Sequence, residues 1–272
     1  MHAASRNALT TGTEFVDKLL WESVDKVSTA AQVGTELFLV VDRLDEERAL
    51  RVNLADASLT SEQRSGIAQS VFGGKIAQPS LDVLTHAAAQ KWSTTREFRD
   101  GLVQLGRRAL LRGAEHQGQL EQVEDDLYRL SRTLIRELKL TQLLGDQTAE
   151  VSARRGLLAN VLYGKANMFT EALALQVIGR PENNPVDDVA ALSFQAAELR
   201  GKSVARVETA VELTEGQQAA LAEKLEQIYG REMSIHSEVD PSLLGGMTIR
   251  VDDERIDGST RGKLARMRAG LK

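Results

Sequence analysis

Apolar positions along the chain recur mostly at helical spacing. Phe15, Leu19, Leu20 and Val27 form a stripe over Thr11 to Val27, with Trp21 beside it. Leu37, Val40, Val41 and Leu44 mark the inward face of a second helix, Val33 to Glu47, and Ala49 to Ala55 reads as a short helical turn. Thr60 and Gln63 fit a capping box ahead of a helix through Val71, closed by Gly73–Gly74. Pro79 opens another helix through Lys91. After Leu199 the period changes. Val207, Thr209, Val211 and Leu213 alternate, as do Met233, Ile235, Ser237 and Val239. Between these strands Thr214 and Gln217 repeat the capping pattern before a helix with Leu221, Leu225 and Ile228 inward, ended by Gly230. The pattern predicts a mostly α chain with a small α+β C-terminal domain: a duplicated helical bundle, then a small mixed β-sheet/helix domain.

The duplication is visible in the residues. A shift of 90 places Leu37, Leu44, Glu47, Leu50, Leu54 and Asp56 on Leu127, Leu134, Glu137, Leu140, Leu144 and Asp146. Arg64, Gly66, Val71, Gly74 and Lys75 meet Arg154, Gly156, Val161, Gly164 and Lys165. These identities fall between 36 and 75 without a gap, where chance gives roughly two to three. The division that follows is an extra helical copy at 1–97, a second bundle at 98–199 and the small domain at 200–272. The segment Thr94 to Gln117 is placed to be the last helix of one copy and the first of the next, in which case no break falls at Gly101 or Gly106.

The most specific stretch is Leu243 to Met267. Met247, Ile249 and Val251 alternate with Thr248 and Arg250, Asp252–Asp253 turns the chain, and Arg255–Ile256 starts a return strand. Asp257–Gly258–Ser259 breaks it, Ser259 is a natural N-cap, and Leu264, Met267 and Leu271 follow at helical spacing. Gly245, Gly246, Asp257, Gly258, Ser259, Arg261 and Leu264 in this order resemble the C-terminal signature of the delta subunit family of F-type ATP synthases, which includes the mitochondrial oligomycin-sensitivity-conferring protein. The run Arg107 to Leu130 is similar to the first two helices of that family's six-helix N-terminal bundle. Phe169 to Ile178 then stands as the fifth helix and Pro185 to Leu199 as the sixth. The family's usual Tyr-Ala-Lys-Ala opening is replaced here by Leu105-Gly106-Arg107-Arg108.

The resemblance implies a non-catalytic peripheral-stalk (stator) subunit on the cytoplasmic face of the membrane. Its helical bundle grips the N-terminal segment of an alpha subunit, and its C-terminal domain holds the C-terminal end of the b-subunit stalk. The family's groove lies between the first and fifth helices, which by position puts Leu105, Ala109 and Arg112 on one wall and Leu173 and Val177 on the other. Phe15, Leu19, Leu81 and Leu84 hold comparable places in the first copy, as a second groove or as part of a spacer. The alternatives are a helical adaptor of an unrelated complex and an enzyme built on a small α+β domain.

Composition narrows the choice. The chain of 272 residues carries a net charge of −5, which argues against a nucleic-acid binder. It has no cysteine, hence no disulfide or thiol chemistry, as suits a reducing compartment. No apolar run approaches the roughly 18 residues of a membrane span, and the N-terminus lacks a signal-peptide core. The histidines, His2, His86, His116 and His236, are scattered, without metal-ligand spacing. Gly201–Lys202–Ser203 lacks the earlier glycine of a phosphate loop, since Ala196 stands there. Glu121, Glu124, Asp125 and Asp126 read as a solvated helix face. The last 18 residues hold Arg255, Arg261, Lys263, Arg266, Arg268 and Lys272 against Asp257, a basic patch suited to an acidic partner helix or to solvent. Trp92 is either core or an interface anchor. No catalytic residues, cofactor or metal are expected.

Overall fold

The computed structural model describes residues 1–200, 203–229, 233–251 and 254–270. The Asp252–Asp253 turn, the helix stop at Gly230, the Gly201–Lys202 pair, Leu271 and Lys272 lie outside the described residues. The chain forms two compact units, Met1–Val189 and Ala190–Lys272. It is mostly helical, with one small mixed sheet in the second unit.

The first unit contains α1 (Ala3–Glu22), α2 (Lys26–Glu46), α3 (Arg48–Leu54), α4 (Ser61–Phe72), α5 (Gln78–Ala89) and α6 (Thr95–His116). They are followed by α7 (Leu120–Arg136), α8 (Leu138–Gly145), α9 (Val151–Leu162), α10 (Met168–Gly179) and the start of α11 (Pro185–Leu199). Local chemistry sets many ends. Thr60 and Gln63 form the expected capping box, and the Thr94 hydroxyl accepts from the Glu97 N–H to start α6. Val27 does not continue the first helix. The Asp25 carboxylate caps a new one, accepting from the Ser28 N–H at 3.0 Å. The polar start of α1 is held by tertiary contact: buried Ser5 donates to Glu97 and accepts from the Ser93 N–H.

The repeat extends to bond-level detail. The bounds of α4 and α9, and of α5 and α10, differ by 90 at both ends. Gly74 and Gly164 turn the chain at φ +72° and +69°, a conformation that needs no Cβ. Buried Arg64 donates from Nε to the Ala88 carbonyl at 2.8 Å, and Arg154 from Nη1 to that of Ile178 at 3.0 Å. Asp56 accepts the N–H and hydroxyl of Ser58, and Asp146 those of Thr148.

Helix α6 runs unbroken through Gly101 and Gly106. At Gly101 it receives the Trp92 ring, whose N–H donates to the Ala87 carbonyl and which packs edge-on to Phe98. Trp92 is therefore core. One face of α6 carries α1, laid parallel to it, and another carries α2.

The second unit contains the end of α11, β1 (Ser203–Thr209), α12 (Glu215–Tyr229), β2 (Met233–Val239), β3 (Met247–Val251), β4 (Glu254–Asp257) and α13 (Thr260–Gly270). The sheet order is β2-β1-β3-β4. β1 pairs parallel with β2, joined by the α12 crossover, and antiparallel with β3. Ala205, Val207, Met233, Ile249 and Val251 pack with Leu225 of α12. Two expectations shift. β1 ends at Thr209, where the Asp240 N–H takes the Thr209 carbonyl and the Thr209 hydroxyl donates to the Val211 carbonyl, so Val211 is exposed. Ile228 is also exposed. The buried line of α12 passes instead through Leu221, Leu225 and Tyr229, whose hydroxyl hydrogen-bonds Glu254.

Candidate functional site

The signature residues assemble into a corner that locks itself. Gly245 and Gly246 have φ +151° and +75°, and a Cβ on Gly246 would lie 2.5 Å from the Gly258 carbonyl oxygen. This close approach lets the Gly258 N–H reach the Met247 carbonyl and the Thr260 N–H that of Gly245. Asp257 accepts from the N–H and the hydroxyl of Ser259, at 2.9 and 2.6 Å. The buried Ser259 hydroxyl oxygen in turn accepts from the Gly262 N–H, capping α13. A Cβ on Gly262 would run into the Asp257 carboxylate. Arg261 donates to the Ser242 hydroxyl, which donates to Asp240. Those hydrogen bonds from Ser242 hold the Asp240 carboxyl below its ordinary range. The corner therefore aims α13, on which Leu264 and Met267 are 43% and 67% exposed.

The groove residues placed by position between α6 and α10 are mostly interior. Leu105, Ala109, Leu173 and Val177 are buried, and only Arg112 reaches solvent. The reason is α1. Gly12 fits against Leu105, and Asp17 accepts two hydrogen bonds each from Arg108 and Arg112, at 2.5–3.1 Å. Burial alone would raise the Asp17 carboxyl, but the two guanidinium groups hold it at about 2.

The equivalent face of α1 is open. Phe15, Lys18, Leu19 and Glu22, which correspond to Leu105, Arg108, Ala109 and Arg112, line a cleft of about 370 Å³ with Ser23 and with Asp82 of α5. Phe15 stacks on His86 of α5 with ring centroids 4.2 Å apart and planes 7° from parallel. Burial pushes the His86 imidazole below its ordinary value. A second cleft of about 690 Å³ lies between α1 at Asn7 and Thr11, the segment leading into α4 at Ser58 and Thr60, and the end of α5 at Gln90 and Lys91. Leu81 and Leu84, by contrast, are core. Lys18, Glu22 and Asp82 were not singled out by periodicity, which marks apolar faces; the sequence signal for Lys18 and Glu22 is their nearness to Phe15 and Leu19, and for Asp82 its place beside Leu81.

Other sequence candidates resolve simply. His2 bonds Glu97, and His116 lies beside Trp21. Glu124 is buried on the inward face of α7, at the place Gly34 holds in the first copy, and is not part of a solvated face. Among the described residues no group of three or more His, Asp or Glu could hold a metal ion, and no helix is long and apolar enough to cross a membrane.

An open cleft on a duplicated bundle, and exposed apolar residues on a terminal helix held by a hydrogen-bonded corner, are features of an assembly subunit. The family model described as ATP synthase delta (OSCP) subunit matches residues 108–271. The chain is 65% identical over 271 residues to ATP synthase subunit delta of Corynebacterium glutamicum (strain R), covering 100% of both chains. It is 60% identical over 272 residues to that of Corynebacterium diphtheriae, again covering 100% of both. A chain of the cryo-EM structure of the Toxoplasma gondii mitochondrial ATP synthase hexamer aligns over 61% of this chain and 94% of that one, with 19% identity and a TM-score of 0.40. The chain belongs to the ATP synthase delta (OSCP) subunit family.

Proposed function

We propose that this member of the family is the stationary, non-catalytic connector of the ATP synthase peripheral stalk, held at the cytoplasmic face of the membrane through its partners. Its helical part, an extra copy at 1–97 and the family bundle at 98–199, takes the N-terminal segment of an alpha subunit. The C-terminal domain at 200–272 takes the C-terminal end of the b-subunit stalk. The alpha segment enters the α1–α5 cleft of the first copy as an amphipathic helix whose apolar stripe covers Phe15 and Leu19. The b-subunit end lies along Leu264 and Met267 of α13, with exposed Arg261 and Lys263 at the rim. A stator is asked to hold under load, which means slow dissociation from buried apolar anchors, with no transition state to stabilise.

One observation supports the choice of cleft. The α1 face is open, whereas the matching α6 face is already covered by α1. Titration calorimetry of the full chain with a peptide of the alpha-subunit N-terminus is the test. Leu19→Glu is expected to weaken binding at least about tenfold, the loss of one good anchor. Equal affinity of that variant and the unaltered chain would remove the first-copy cleft from the reading.

A further inference from the structure

The repeat supplies an internal comparison. Stretches 39–53 and 129–143 hold equivalent places: the end of α2 with α3, and the end of α7 with α8. In the first copy the acidic residues of this edge are already engaged, although Leu39 and Val52 stand 63% and 40% exposed on the same stretch. Asp45 accepts from Arg99 at 2.8 Å and pairs with Arg180, and Asp42 pairs with Arg155 at 2.9 Å. An acidic edge is thus fastened to bases of the second copy.

In the second copy the same edge is exposed and of a different kind. Ile135, Leu138 and Leu143 stand where Asp45, Arg48 and Asn53 stand, and are 40%, 69% and 48% exposed. Charge changes with them. Stretch 39–53 has three bases and four acids; stretch 129–143 has four bases and one acid, with Arg136 and Lys139 exposed. The fold does not require apolar residues at these three positions, because the first copy builds the same helices with Asp45, Arg48 and Asn53 there. Ile135, Leu138 and Leu143 fall within nine residues, at the end of α7 and on α8, and give the second copy apolar contact surface where the first has charged or amide side chains.

We propose that the end of α7 together with α8 docks an acidic amphipathic helix of another subunit. Ile135, Leu138 and Leu143 meet its apolar stripe, and Arg136 and Lys139 meet its acidic flanks. The contact is the charge-reversed counterpart of the one the first copy makes with the second. An anionic lipid surface would also attract these bases and is the alternative that the cross-link separates.

The setting is the assembled ATP synthase, so the proposal rests on the stalk reading. A photoreactive p-benzoylphenylalanine at position 138 of the full chain, irradiated in the purified complex, is expected to cross-link to one helical, net-acidic segment of another subunit. Links to lipid or to a basic segment, or no link, overturn the proposal. The combined variant I135D, L138R and L143N carries residues that the same backbone already bears in the first copy. It should keep its melting temperature yet leave the complex about tenfold faster; an unchanged rate overturns the proposal too. Absence of the unaltered chain from the complex would overturn the stalk reading and this proposal together. Its presence without the cross-link overturns this proposal alone.

Discussion

Gly34 and Gly106 face each other where α2 crosses α6, with no side chain between them. A Cβ on Gly34 would sit 3.0 Å from the Gly106 carbonyl oxygen and 2.5 Å from Leu110 Cγ; one on Gly106 would sit 3.2 Å from the Gly34 carbonyl oxygen. Neither backbone can yield without separating the helices. Gly34→Ala is expected to destabilise the first unit by about 1–3 kcal/mol in denaturant unfolding. Gly66, exposed in the middle of α4 with open space around it, gives the opposite sign. Gly66→Ala should stabilise by about 0.5–1 kcal/mol.

Asp17 makes stability depend on acid. Its folded carboxyl titrates at about 2 against an ordinary 3.8, so its contribution is complete above 3.8 and lost as pH falls through about 2. The site is partly solvated, so solvent screening reduces that contribution to about 1 kcal/mol. Asp17→Asn should melt about 2–4 °C lower at pH 7. The gap should close between pH 3.8 and 2. A gap that stays constant across that range would assign the effect to packing.

The two equivalent arginines should differ. Arg64 donates to the carbonyls of Asp56, Leu59, Ala88, Ala89 and Gln90, whereas Arg154 Nε is buried without a partner. Arg64→Met leaves several carbonyls unpaired and should cost about 3–5 kcal/mol, against about 1–3 kcal/mol for Arg154→Met. Thermal unfolding of the pair measures the difference; equal losses would contradict it.

The C-terminal corner should tolerate little. Gly246→Ala places a methyl group against the Gly258 carbonyl at a φ of +75°, and Ser259→Ala removes the cap of α13. Expected losses are about 2–4 kcal/mol and about 1 kcal/mol. Amide exchange should show faster exchange in α13 for the serine variant, with β1 unaffected.

Removing residues 1–91 should not leave a clean second bundle. It strips α1 and α2 from α6 and bares Leu105 and Leu110. The truncated chain is expected to self-associate in size-exclusion chromatography and to bind a hydrophobic dye. A monodisperse, dye-negative fragment would show that α6 needs no such cover.

What was legible in the sequence follows the range of the contacts involved. The corner from Gly245 to Gly262 is built from neighbours in sequence or from one hairpin, so residue order alone specified it. The repeat was legible because its shared residues hold equivalent places in both copies: Arg64 and Arg154 donate to the equivalent carbonyls of Ala88 and Ile178, and Gly74 and Gly164 make the same turn. The groove was not. Leu105 and Ala109 have the spacing of a helix-binding wall whether a partner or the chain itself covers them, and α1, which supplies Gly12 against Leu105 and Asp17 against Arg108, is remote in sequence.

Helix α6 belongs to both bundles, with 22 residues spanning about 33 Å. A pull applied to the first bundle therefore enters the second along a continuous rod with no hinge to bend, and stretching one means shearing the other. Strength in such a part comes from the absence of slack.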